Sequence, residues 1–233
     1  LQNDIEMART YHNIAWLYDE EAKYDMAMSY IEESLAIKQL YQGEDRNVEL
    51  AIGYNRMGGI YEHQNQGSKA RTKYLEALKL NKEYYGEDHP EVADIYNNLG
   101  NINESERKYE SALSYYRKFL KIYQTYHEDV HPKIADAYLN IGCVLDNQQK
   151  HKEALECYYK SLEIDIKIFG KNHPRLAETF CNIGCVYLTT RQYREAMKNL
   201  LESLKIYSNF YEQSHIKPGD SYFNIAMVAV SCY

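Results

Sequence analysis

Cys181 and Cys185 stand four residues apart, a spacing that places both thiols on one face of a helix, and Cys143 precedes Cys185 by 42 residues. Three thiolates could begin a metal site. Zinc takes four ligands, however, and its paired cysteines usually sit on loops at closer spacing. The five cysteines, these three with Cys157 and Cys232, follow no disulfide-framework spacing. They are expected to be reduced, small and apolar in behaviour, in a cytoplasmic protein. His89, His131, His173 and His215 also recur at a step of 42, and the first three precede a proline. A catalytic group is needed once, so repetition points to helix starts instead of chemistry. The chain contains no G-x-S-x-G, H-E-x-x-H, Walker or G-x-G-x-x-G pattern. The expectation is a non-enzymatic chain that needs no cofactor and no metal.

The recurrence extends far beyond the histidines. "HPEVADIYNNLG" from His89 returns as "HPKIADAYLNIG" from His131 and "HPRLAETFCNIG" from His173. An Asn-apolar-small anchor lies at Asn98-Leu99-Gly100, Asn140-Ile141-Gly142 and Asn182-Ile183-Gly184. It continues to Asn224-Ile225-Ala226, back to Arg56-Met57-Gly58, and one step further to Asn13-Ile14-Ala15. The last step is 43 residues, with the extra residue near the turn-like "QGEDRN". An alanine precedes most anchors by five residues, and another follows the small residue by twelve, from Ala27 to Ala196. Ser34, Ala77, Phe119, Ser161 and Ser203 form a further column, in which Phe119 is the misfit expected to loosen or reshape local packing.

Small residues at fixed places mark close helix approach. Each unit therefore reads as two helices, A carrying the anchor and B carrying stretches such as "YESALSYYRKFLKIY" with apolar residues at helical spacing. Proline at the first position of helix A needs no donor there. Pairs that cannot bury their faces alone must stack, which makes a solenoid.

Composition agrees. Of 233 residues, 45% are hydrophobic and 26% charged, with only four prolines and eleven glycines, which suits long helices in a globular protein. The net charge of −7 and the lack of a basic stripe exclude ordinary nucleic-acid binding. No apolar run is long enough to span a membrane.

The columns Ala…Asn-Leu-Gly…Tyr…Tyr-x-x-Ala resemble the tetratricopeptide repeat, and the 42-residue period with His-Pro before helix A resembles its kinesin-light-chain type. The resemblance implies an all-α, right-handed superhelical solenoid in a single domain, 1–233. The repeats are expected near 1–46, 47–88, 89–130, 131–172 and 173–214, with helix A of a sixth at 215–233. It also implies a protein-interaction scaffold whose A helices line a concave peptide groove. The anchor residue and those four before and three after it would point inward.

The anchor column is then Asn13, Arg56, Asn98, Asn140, Asn182 and Asn224. Asn costs up to roughly 0.7 kcal/mol against Ala inside a helix. Its amide both donates and accepts, so a ladder of amides can hold an extended backbone. Four residues earlier come Arg9, Asp94, Asp136 and Glu178; three residues later come Trp16 and Asn101. Asp19, Glu62, Glu104 and Asp146 add a further acidic column. These columns predict a groove that is acidic through the middle, basic only at Arg9 and Arg56, and anchored by Trp16. Such a groove suits a peptide with Lys or Arg in its middle and opposes the aromatic-acidic cargo peptides of kinesin light chains. Two further readings are a sensing or targeting arm of a larger enzyme or receptor, and a kinesin-light-chain-like cargo adaptor. The apolar ending "NIAMVAVSCY" suggests either further repeats or self-association through exposed end helices.

Overall fold

A computed structural model describes residues 2–211, and they form ten helices. In order these are α1 (Gln2–Glu20), α2 (Tyr24–Leu40), α3 (Arg46–His63), α4 (Gly67–Tyr85), α5 (Pro90–Ser105), α6 (Tyr109–Tyr126), α7 (Pro132–Asn147), α8 (His151–Phe169), α9 (Arg175–Thr189) and α10 (Tyr193–Tyr211). Odd-numbered helices are the A helices and even-numbered ones the B helices, so the described residues hold the five complete repeats. The expected sixth A helix, with Asn224, lies outside the described residues. The chain divides into two compact units within α6, one ending at Ile122 and one beginning at Tyr123. Phe119, the misfit of its column, is fully buried just before this division.

Each pair is held by one large side chain, a tyrosine ring in three of the five, set against one small residue. The anchor's small residue faces the side chain sixteen residues later on helix B. A Cβ added to Gly58 would lie 2.5 Å from the Tyr74 ring, one on Gly142 2.6 Å from the Tyr158 ring, and one on Gly184 2.7 Å from Leu200. Gly100 meets Tyr116 in the same way. In the first repeat Ala15 is matched by the smaller Ile31 within one buried cluster. All five partners, Ile31, Tyr74, Tyr116, Tyr158 and Leu200, are buried. Interiors this dense leave no slack for an extra methyl group. A second column adds hydrogen bonds: Ser34 Oγ donates to the Ala8 carbonyl at 2.6 Å and Ser203 Oγ to the Ala177 carbonyl at 2.7 Å.

The A-to-B turns share a backbone solution without glycine. Ala22, Asn65, Arg107, Gln149 and Arg191 all adopt φ between 56° and 61°. Each sits at the end of an A helix, where paired bonds such as Asn65 N–H to the Glu62 carbonyl and Gln66 N–H to the Tyr61 carbonyl, both 2.8 Å, close the last turn.

Helix starts explain the repeated histidines. His89 Nδ1 accepts the Glu91 N–H at 3.2 Å, and His131 Nδ1 accepts the Lys133 N–H at 3.1 Å. His173 Nδ1 takes the Arg175 N–H at 3.4 Å, a weaker bond. Each imidazole also stacks on a ring at the end of the preceding helix or just beyond it. His89 lies 4.0 Å from Tyr85, His131 4.0 Å from His127, and His173 4.5 Å from Phe169. Pro90 and Pro132 open their helices as expected, whereas Pro174 stands just before α9.

Two mutational outcomes are expected. Gly142→Ala should destabilise by about 1–3 kcal/mol despite its better helix propensity. Adding Tyr158→Ile, which recreates the Ala15–Ile31 pairing, should recover part of that loss in a urea-denaturation double-mutant cycle. His131→Ala should cost about 1 kcal/mol by losing the cap, and His131→Asn should cost less, because Asn caps by the same acceptor geometry.

Candidate functional site

In the first unit, α1, α3, α4 and α5 surround a cavity of about 470 Å³. Its wall contains Ile52, Arg56 and Gly59 from α3 and Asp94, Asn98 and Asn101 from α5. These are the three columns expected to face a ligand, taken from two successive A helices. The helical period explains the meeting, since residues three and four apart share a face.

Among the cavity residues the central polar contact joins neighbouring A helices. Asn98 Nδ2 donates to Asn55 Oδ1 at 3.0 Å. Asn55, one residue before the anchor, was not singled out by column reasoning; nor were His12, Asn81 and Glu91, which also line the cavity. The signal for Asn55 was another amide beside Arg56. The signal for Asn81, on a B helix, was absent, because only the packing of α4 on α5 brings it there. Its Nδ2 donates to the Glu91 carbonyl at 3.3 Å.

In the first repeat the cavity wall is supplied by the residue before the anchor. His12, not Asn13, lines the cavity. Asn13 is exposed, and Trp16 is 44% exposed with its indole N–H donating to Glu20 at 3.1 Å. Arg9 is held by Glu49, with Nη2 2.6 Å from Oε1, and the same carboxylate lies 3.1 Å from Lys38 Nζ. Lys38 is 1% exposed, and burial pushes its pKa down against the pull of Glu49.

Several carboxylates of the predicted acidic columns are engaged inside the chain. Glu62 accepts the Tyr74 hydroxyl at 2.7 Å, and the Tyr116 hydroxyl lies 2.8 Å from Asn101 Oδ1 and 2.9 Å from Glu104 Oε2, two acceptors sharing one proton. Asp19 is buried 2.8 Å from His63 Nδ1 and 3.9 Å from Arg56 Nη1. Burial raises the Glu62 pKa.

In the second unit, Asp136 accepts from Arg175 at 2.6 Å, and Asp146 lies 2.8 Å from His151 Nδ1. Glu178 is exposed, Asn140 is half-buried, and Asn182 Nδ2 lies 3.7 Å from Cys143 Sγ. The Cys181 contact, with burial, raises the Cys185 pKa, which keeps that sulfur a thiol and opposes nucleophilic use.

The tetratricopeptide repeat pattern matches residues 49–125 and 133–209, and a second pattern of the same repeat matches residues 8–39. The chain belongs to the tetratricopeptide repeat family. It is an all-α repeat solenoid, and its relatives among solved structures include proteins of the kinesin-light-chain type. BtubC (BKLC) from P. vanneervenii is 26% identical with a TM-score of 0.77, over 93% of this chain and 91% of that one. A protein of nearly identical tetratricopeptide-like repeats from Podosopora anserina, assigned as a kinesin light chain, is 15% identical with a TM-score of 0.73, over 90% and 99%. YrrB, a tetratricopeptide repeat protein with an unusual peptide-binding site, is 20% identical with a TM-score of 0.52, over 84% of each chain. No curated protein matches the sequence. Among the described residues no helix of this tetratricopeptide repeat chain is long and apolar enough to cross a membrane.

The cavity has a titratable marker. Burial, reinforced by Lys38 and Arg56, lowers the His12 pKa from 6.5 to about 4. A histidine depressed in the fold is neutral there at pH values where the unfolded chain already binds a proton. Stability should therefore fall as pH drops through 6.5 towards 4. Between pH 7 and 5 the loss should be about 2 kcal/mol. Urea denaturation at both values should show it in the wild type and a smaller drop in His12→Gln.

Proposed function

We propose that this tetratricopeptide repeat chain is a non-enzymatic interaction scaffold that holds an extended peptide against its A helices. The observation that carries the reading is the convergence of Asn55, Asn98 and Asn101 on one cavity, beside Arg56 and Asp94. Amides offer a donor and an acceptor each, so they match a peptide backbone whatever its side chains. The Asn98–Asn55 bond uses one of two amide hydrogens on Asn98, so its second hydrogen and its carbonyl oxygen can serve a ligand. Asp94 and Glu91 select for Lys or Arg on the peptide, because unlike charges across an interface favour association. Asn13, Arg9 and Trp16 extend the proposed contacts within the first unit, with exposed Trp16 as an aromatic anchor, and Asn140, Asn182, Asp136 and Glu178 are the proposed contacts of the second unit; Asn224 belongs to the same proposal but lies outside the described residues. YrrB supports the reading as a relative in fold with a peptide-binding site.

Fluorescence polarisation with one basic and one aromatic-acidic peptide pool tests it. The basic pool should bind, and Asn98→Ala should weaken binding by about 1–3 kcal/mol while circular dichroism remains helical. Preference for the aromatic-acidic pool would overturn the charge selection. Equal binding by wild type and Asn98→Ala would remove the amide contact from the site.

A further inference from the structure

Several residues that line the cavity of the first unit carry unsatisfied polar atoms. Arg56 Nε is buried with no hydrogen-bond partner, and so is His12 Nδ1. Arg56 makes an ion pair to Asp19 Oδ2 at 3.9 Å, too long for a hydrogen bond, and that oxygen is itself buried without a hydrogen-bond partner while Asp19 Oδ1 meets His63. The Arg56 side chain is only 31% exposed. A guanidinium so placed lacks the bidentate acceptor that its geometry suits. On α4, Asn81 is 5% exposed, and its Oδ1 has no hydrogen-bond partner. That orphan acceptor stands with Glu91 and Asp94 on the same lining. Buried polar atoms are nearly always paired, so three orphans around one hollow mark where a ligand's atoms go.

The orphans differ in sense, and the difference describes the ligand. Arg56 offers N–H donors and a positive charge, with His12 beside it; Asn81 offers an acceptor among carboxylates. The anionic group is a carboxylate, because Glu62, Glu91 and Asp94 would repel a doubly charged phosphate. Side chains two apart on an extended peptide point the same way, roughly 7 Å from each other. Packed helices lie roughly 8–10 Å apart, so one such pair can reach from α3 to α5.

We infer that the cavity reads a dipolar signature on the peptide: an acidic side chain seated on Arg56 and His12, and a basic side chain two residues away facing Asp94, Glu91 and Asn81. This rests on the peptide-scaffold reading and gives it a sequence requirement. It also explains why the anchor column carries Arg at this repeat and Asn at the other described anchors.

Selection from a display library of random peptides on the whole chain tests the signature. Wild type should enrich Asp or Glu paired at a two-residue spacing with Lys or Arg. Arg56→Gln should lose about tenfold of the acidic preference and keep the basic one, and Asp94→Asn should do the converse. Enrichment of basic residues alone, or an acidic preference that survives Arg56→Gln, would overturn the dipolar signature and leave the scaffold reading standing. Enrichment of no peptide would overturn both. Should Arg56→Gln fail to fold, a selected peptide and its Glu-to-Gln version, measured on wild type, decide the matter: about tenfold weaker binding upholds the acidic contact, and equal affinity overturns it.

Discussion

The pressing of one B-helix side chain onto one small A-helix residue organises the rest of this protein. Gly58, Gly100, Gly142 and Gly184 leave room for Tyr74, Tyr116, Tyr158 and Leu200, and no methyl group fits between them. Once a tyrosine ring is buried there, its hydroxyl must find an acceptor. Glu62 and Glu104, four residues beyond the glycine, supply it. In the fifth repeat the tyrosine becomes Leu200 and the acid becomes Leu188, and the two lie in one apolar cluster. In the first repeat the same column keeps Asp19 although Ile31 stands in place of the ring, and that acid pairs with His63 instead.

A second constraint acts in the first repeat, where no tyrosine ring fills the slot. There Lys38 and Glu49 are buried together and Arg9 closes over the same carboxylate, joining α1, α2 and α3. Burying such charges costs several kcal/mol per ion before their attraction is counted. The network ties exposed Arg9 to Glu49, while Arg56 is the cation on the cavity wall. Burial, reinforced by the positive charges of Lys38 and Arg56, keeps His12 neutral. Packing in one layer thereby sets the electrostatics of the next.

The repeat, the helix pairs, the histidine starts and the close-approach glycines were all readable along the chain, because each depends on residues near one another in sequence and recurs from repeat to repeat. The ligand-facing columns were readable for α3 and α5, where helical spacing brings Ile52, Arg56, Asp94 and Asn98 to one cavity. On α1 the column residue Asn13 is exposed and its neighbour His12 lines that cavity, a placement that depends on what packs behind the helix. The columns did not reveal the left-handed turns at Ala22, Asn65, Arg107, Gln149 and Arg191, because four different residue types fill that position and no glycine marks it.

By itself the sequence determined an all-α tetratricopeptide solenoid and the periodic face that its A helices share, since periodicity of 3.6 within a helix and 42 between repeats is a property of the chain alone. Only the tertiary structure decided which charges on that face have counterparts within the fold. Glu62, Glu104 and Asp136 stand in the acidic columns, and the fold bonds them to Tyr74, Tyr116 and Arg175. Asn81, which no column marks, leaves an acceptor orphaned at the cavity. Whether a polar group is satisfied depends on atoms within about 3 Å that come from other helices, and that information is not local to any stretch of residues.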